Sequence, residues 1–267
     1  MADTLAAWCD VVRIGLLSSF EDYRRLFTWR SWLLGWLSRL VAQVLFFAML
    51  ARSVGSVGDE HYIAVGNALV LAPLGALGVV SSTSLERRLG TLHLLLLSPT
   101  DPLVVLVSRG LYWLFDGLLT SLVTLGLVSV ILDLDAQRGT LPLIVLAQLV
   151  LGGSTYAMAV ALSGLSIRWP EARTFVTSTV TIALLSGTGV NGAVPGGALG
   201  SMLHVLPVTN GLPAARAAVA GAPTTPSVLL HLGAECLVGL GWLVVAHITV
   251  VGSVRRQVRS GRLTAMS

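Results

Sequence analysis

Long apolar runs, each near the length of a bilayer crossing and separated by short arginine-bearing turns, constrain this chain more than any other feature. The run 31–51 measures about 31 Å as a helix, which matches a hydrocarbon core of about 30 Å. Six such runs are read along the chain: 31–51, 62–83, 103–132, 141–167, 174–190 and 227–251. Hydrophobic residues make up 54% of the 267 residues and charged residues only 11%, with a mean hydropathy of +0.83. A soluble domain carries about a quarter charged residues. The expectation is an all-α polytopic membrane protein, a single transmembrane domain over 1–267.

All 17 basic residues are arginine. A phosphate-binding loop of the Walker type uses a lysine to reach the terminal phosphates, so no such nucleotide site is expected here, nor Schiff-base chemistry. If the protein runs on ATP, another chain hydrolyses it. Cys9 and Cys236 lie far apart, without metal or redox spacing, and read as small packing residues.

Arginine bias sets the orientation. With the N-terminus inside, Arg13, Arg24, Arg25, Arg30, Arg87, Arg88, Arg109, Arg168, Arg173, Arg255, Arg256, Arg259 and Arg262 are cytoplasmic. Only Arg52, Arg138 and Arg216 fall outside, and Arg39 lies within a span. Both termini are therefore expected in the cytoplasm. The same bias accounts for the basic pI near 9.7 without a nucleic-acid partner.

Residues 5–28 read as an amphipathic helix at the membrane surface. Trp8, Val12, Leu16, Phe20, Tyr23 and Phe27 recur at spacings of three and four, while Asp10, Arg13, Glu21, Arg24 and Arg25 take the other side. A cleaved signal peptide fits less well, because acids and arginines interrupt the apolar stretch. Asp101-Pro102 is a helix start signal, with the acid as cap and proline in the first turn.

Between the fifth and sixth runs the chain breaks at Gly187-Thr-Gly189-Val-Asn-Gly-Ala-Val-Pro195-Gly-Gly. Two short helical pieces follow, 198–206 and 211–220, each too short to cross. They read as a re-entrant outer hairpin within 191–221, tolerated where other protein shields the backbone. After the second run comes a charged stretch, Leu85-Glu86-Arg87-Arg88-Leu89-Gly90-Thr91-Leu92-His93, with Ser98-Pro99 beyond it. This predicts an amphipathic helix over 85–97 on the cytoplasmic side, where a few polar residues would have sufficed to turn the chain.

In these features the chain resembles the membrane (permease) subunit of a type-2 ATP-binding-cassette (ABC) exporter. The surface helix precedes the first span. Glu86-Arg87-Arg88-Leu89-Gly90-Thr91-Leu92 with Ser98-Pro99 is similar to the family's Glu-Arg-Glu-x-Gly-Thr-Leu and proline stretch. Leu203 to Gly221 is similar to the proline–arginine–glycine segment before the last span. Arg88 departs from the family, which often has a second acid there.

The resemblance implies that 85–97 is a coupling helix seated in an ABC ATPase subunit, and that 5–28 is a second contact with it. It implies two copies of the ATPase, holding ATP and Mg, with no cofactor bound by this chain. A second permease subunit, identical or related, completes the assembly in the cell (plasma) membrane. The path would lie at the dimer interface, lined by the first, second and fifth spans. The cargo would be amphiphilic: a drug, antibiotic, lipid or glycolipid.

Arg39 and Asp116 are the charges set deepest in spans, where each costs about 2.5–3.5 kcal/mol on insertion scales. Either they pair with each other (or Arg39 snorkels), or they belong to the substrate path or gate together with Asn67. His231 and Glu235, four apart, share a helix face and read as a local hydrogen-bonded pair. Asn67, Gln43 and Gln148 read as interhelical hydrogen-bonders, and Trp29, Trp32 and Trp36 as interfacial anchors. No metal-ligand set is seen. Two rival classes are an integral membrane enzyme acting on lipid and an ion-coupled carrier. The first needs a His/Asp/Glu cluster at one membrane surface and the second an inverted repeat, and neither is visible in the sequence.

Overall fold

The computed structural model describes residues 2–26, 28–55, 57–88, 101–134, 140–221 and 224–260. These residues are helical, with no strand among them. In chain order they form α1 (Ala2–Leu26), α2 (Trp29–Ser31), a π turn (Trp32–Leu37) and α3 (Ser38–Val54). Then follow α4 (Val57–Ala76), α5 (Gly78–Arg88), α6 (Pro102–Ile131) and α7 (Leu141–Arg168). After a 3₁₀ turn (Pro170–Ala172) come α8 (Arg173–Gly187), α9 (Gly197–Leu203), α10 (Leu212–Val219) and α11 (Pro226–Ser260).

Five of these stretches are long and apolar enough to cross a bilayer: Trp29–Val54, Gly58–Glu86, Pro102–Ile131, Leu141–Arg168 and Pro226–Arg256. The expected crossing at 174–190 is a shorter helix. α8 has 15 residues, about 22 Å of rise, short of the ~30 Å hydrocarbon core.

The second span differs in its ends. It begins at Val57 rather than 62 and runs on through Arg88. Leu85 to Arg88, expected to open a separate coupling helix, thus form the last turn of α5. The rest of that segment, residues 89–97, lies outside the described residues. The span is broken midway. Pro73 has no N–H to donate back along the helix, and at Leu77 the bonding tightens to Leu77 N–H→Leu74 O (3.3 Å) and Val80 N–H→Leu77 O (3.1 Å). The start of α6 follows the sequence signal: the Asp101 carboxylate accepts the Leu103 N–H at 2.8 Å, with Pro102 in the first turn.

α4–α5 and α7 form the centre of the bundle. The apolar windows of those two spans are 72% and 67% buried, against 22% for both the first and last spans. Small residues bring the axes together, as they do where lipid supplies no hydrophobic drive between helices. α4 crosses α6 at Gly75 and Gly117, where a Cβ on Gly75 would lie 2.5 Å from the Gly117 Cα. α11 lies along α7 through Gly164, facing the Thr249–Val250 backbone, and Gly239, facing Ser154. Polar side chains then bridge helices: Gln148 Nε2 donates to Ser121 Oγ (2.6 Å), which donates to the Ala68 carbonyl (2.6 Å).

The Gly75 crossing yields a stability prediction. Gly75→Ala forces backbone apart and is expected to cost about 1–3 kcal/mol, lowering the thermal midpoint of the purified protein. Gly126→Ala, with open space around its Cβ, is expected to leave that midpoint unchanged or raise it. Thermal unfolding of both variants in detergent checks the pair.

Candidate functional site

The end of the bundle against which α1 packs is organised by α6. Its 30 residues extend about 45 Å, some 15 Å more than the hydrocarbon requires, and α1 lies along its first half. Gly15 permits the approach, since a Cβ there would sit 2.4 Å from Ser108 Oγ. The Ser19 hydroxyl donates to the Arg109 carbonyl. The Arg109 guanidinium donates to Ser18 Oγ (2.9 Å) and to Glu86 Oε1 (2.5 Å), joining α1, α5 and α6. Glu86, expected to face a partner, is instead 12% exposed against Arg109 at 20%. Its last-turn position on α5 directs it to α6.

The other expected coupling residues are less visible. Arg87 and Arg88 close α5, while their side chains and all of Leu89, Gly90, Thr91 and Leu92 lie outside the described residues. On α1, Arg13, Glu21, Arg24 and Arg25 are exposed, as read from the sequence. Glu21 and Arg24 approach to 3.9 Å, and Arg24 also lies 5.8 Å from the Phe20 ring centre. Gly15 and Ser19 are buried against α6, while Phe20, on the apolar stripe read for the membrane surface, is 48% exposed. Close helix packing selected small side chains over large ones.

Further along α6, Asp116 gathers two donors on one oxygen. The Tyr23 hydroxyl of α1 donates to Oδ1 at 2.8 Å, and the Trp32 indole N–H donates to the same atom at 2.9 Å. Burial, the Tyr112 hydroxyl and the Asp116 carboxylate push the Tyr23 phenol far above its usual range, so it remains a donor. Trp32 opens the π turn, whose i→i+5 bonding keeps Trp32 and Trp36 nearly in line. Trp32 bonds inward, and Trp36 stacks under Arg39, whose guanidinium carbon is 5.0 Å from its ring centre.

Trp36, Arg39 and Gln43 of the first span line a cavity of about 220 Å³ with Leu74 and Gly75 of α4, Asp116 and Thr120 of α6, and Thr181 of α8. Arg39 and Asp116 therefore share a space, and no ion pair joins them among the described residues. The expected direct pairing is not formed, because the Asp116 carboxylate is held by α1 and the π turn while Arg39 is held by Trp36.

The opposite end is built on backbone. α8 ends at Gly187, and Gly189 adopts φ +87°, a left-handed conformation that turns the chain. Pro195 stands exposed at the end of this bend, before α9. Arg216 of α10 donates to the carbonyls of Gly189 (2.8 Å), Val190 (2.9 Å) and Tyr62 (3.2 Å), and its guanidinium stacks 3.5 Å from the Tyr62 ring centre. Gly66 leaves room for it; a Cβ there would lie 2.2 Å from an Arg216 nitrogen. Asn67 donates to Asn191 Oδ1 at 2.6 Å, tying α4 to the bend rather than to the inner cavity.

Glu235 is fully buried on α11. It accepts the N–H groups of Val208 (2.7 Å), Gly211 (3.0 Å) and Asn210 (3.2 Å) and the Ser154 hydroxyl. Val208, at φ +80°, turns these amides inward. The expected His231–Glu235 pair is not formed: His231 is exposed. Tyr23, Trp32, Arg109 and Arg216 carry site geometry that sequence reading assigned to stripes, anchors or charge bias. The one available signal was their cost, since an arginine or buried hydroxyl at membrane depth needs a partner. No group of three or more His, Cys, Asp or Glu comes together as a metal site among the described residues.

Compared with known protein families, characterised proteins and solved structures, the chain matches none.

Arg216→Lys keeps the charge but cannot reach three carbonyls. It is expected to destabilise the protein by about 2 kcal/mol and to expose Val190, buried beside it. Faster maleimide labelling of a cysteine placed at Val190, with Cys9 and Cys236 changed to serine, relative to the same cysteine with Arg216 intact, checks this.

Proposed function

We propose that this chain is the permease subunit of a type-2 ABC exporter, moving an amphiphilic cargo out of the cell at the expense of ATP hydrolysed by a separate subunit. The observation that carries the reading is the inner junction. An amphipathic helix with an exposed charged face is fastened, through Arg109, to the end of α5 from which the Glu86-Arg87-Arg88-Leu89-Gly90-Thr91-Leu92 stretch emerges. Two elements that a cytoplasmic ATPase would touch are thus held together at one end of the bundle. That end also carries most of the described arginines, in keeping with a cytoplasmic location and cytoplasmic termini.

In this reading two ATPase subunits bind ATP and Mg, and two permease subunits, identical or related, enclose the path in the plasma membrane. Six crossings are completed by α8 together with the bend after Gly187, and α9–α10 form a re-entrant outer segment. Support for the last point is the burial of Leu212, Ala214, Ala215, Ala218 and Val219 on α10, among the spans rather than on the surface. Arg39 and Asp116 belong to the path. Asn67 stabilises the outer bend, with Gly187 and Gly189 as its pivots.

Expression of the full chain beside its candidate ATPase tests the reading. The two are expected to purify as one complex whose nucleotide hydrolysis depends on both. Arg87→Glu with Arg88→Glu is expected to lower that rate about tenfold or more while insertion is unchanged, as for charge reversal at an interface. Hydrolysis at the unaltered rate in the double variant removes the coupling assignment. Glu86→Gln is expected instead to loosen α1, because its partner is Arg109.

A further inference from the structure

The inner cavity carries one charge of each sign, and the structure leaves both without an ionic partner among the described residues. Asp116 receives Tyr23 and Trp32 on Oδ1; its second oxygen accepts no hydrogen bond from the described residues. Arg39 rests on the Trp36 ring, an interaction that leaves its N–H groups available. A charge at membrane depth is retained where protein, water or a ligand compensates it. Here the acid and the base face one space of about 220 Å³ and do not meet. A ligand with a cationic and an anionic group would satisfy both, while an ion of either sign would meet one charge and be repelled by the other.

Size narrows the ligand further. Drug-sized pockets run about 300–1,000 Å³, so this cavity takes a head group and not a whole amphiphile. Leu40, Leu71 and Leu74 complete its wall, and the first span, the least buried with α11, forms its membrane side. An apolar tail attached to the head group would therefore lie against leucine and lipid.

We propose that this cavity binds the zwitterionic head group of an amphiphile, its cationic group at Asp116 and its anionic group at Arg39. The assignment rests on the exporter reading for its transport meaning, though the binding itself needs neither nucleotide nor ATPase.

The test titrates the purified full chain in a maltoside detergent with glycerophosphocholine, choline and glycerol phosphate, read by tryptophan fluorescence because Trp36 lines the site and Trp32 bonds Asp116. Glycerophosphocholine is expected to bind about tenfold or more tighter than either singly charged probe. Asp116→Asn is expected to weaken glycerophosphocholine about tenfold and abolish choline binding while sparing glycerol phosphate; Arg39→Gln is expected to do the converse. Asp116→Glu and Arg39→Lys, which keep the charges, are expected to retain the preference for the zwitterion and so separate recognition from folding.

A hexanoyl lysophosphatidylcholine probe distinguishes the sources of such a head group. Binding about tenfold tighter than the head group alone assigns the site to membrane lipid, and equal binding assigns it to a water-soluble zwitterion. Equal affinity for the three soluble probes, or unchanged glycerophosphocholine binding in both Asp116→Asn and Arg39→Gln, overturns the proposal. Either result leaves the ATPase co-purification to be decided by its own outcome.

Discussion

Arg109 and Asp116 lie seven residues apart on α6, two turns along one face, and the half of the molecule around α1 depends on how they are satisfied. Neither is neutralised by a neighbour on its own helix. Arg109 draws in Glu86 from α5 and Ser18 from α1, and Asp116 draws in Tyr23 from α1 and Trp32 from the π turn. One helix face thereby fixes three others. α1 answers in register: Gly15 meets Ser108, Ser19 meets Arg109, and Tyr23 meets Tyr112 and Asp116. Both sets advance about 12 Å along their axes, so α1 runs with the extra length of α6. A bare apolar stripe would allow such a helix to slide, whereas hydrogen bonds at both ends of the contact set its position.

That register links the inner surface to the cavity. Tyr23 and Trp32 share one carboxylate oxygen, and the same aspartate lines the space that Arg39 enters. Under the proposed function, a push on α1 reaches the cavity wall through a single residue, with no soft apolar layer between. The second span is the element suited to respond. Pro73 and the tightened turn at Leu77 interrupt its hydrogen bonding beside the Gly75–Gly117 crossing, where backbones touch and no side chains need repacking.

Features that depend on local sequence were legible from it. Apolar length revealed five of the six expected spans, Asp101-Pro102 marked the start of α6, and the glycine-rich stretch after 186 marked a bend with two short helices beyond. Partner choice was not legible. Arg109 and Ser18 are 91 positions apart, and Asn67 and Asn191 are 124 apart. Periodicity reports which face of a helix is apolar but carries no label for the helix opposite. The expected His231–Glu235 pair failed for that reason: spacing of four made the contact available, yet three backbone amides and a hydroxyl hold the carboxylate more completely than one exposed imidazole could. The apolar stripe on α1 did not mark its contact with α6, since a helix packed on Ser108 needs Gly15 and Ser19 there.

The two ends solve the problem of buried charge differently, and the difference assigns them different mechanical roles. At the α1 end, Arg109, Glu86, Asp116 and Tyr23 pair side chain to side chain, and side chains can exchange partners by rotation while each helix stays intact. At the opposite end, Arg216 takes carbonyls from 189–190 and Glu235 takes amides from 208–211. Those are the orphan groups that irregular backbone exposes, and in an apolar setting each would cost a few kcal/mol unpaired. Charged partners make these bonds the stronger kind, and losing one leaves both a buried charge and a bare peptide group uncompensated. The outer segment is therefore an anchor that cannot shift piecemeal. With one end fixed through backbone and the other joined through rotatable side chains, relative motion concentrates between them, at the level of the Pro73–Gly78 break and the cavity it borders.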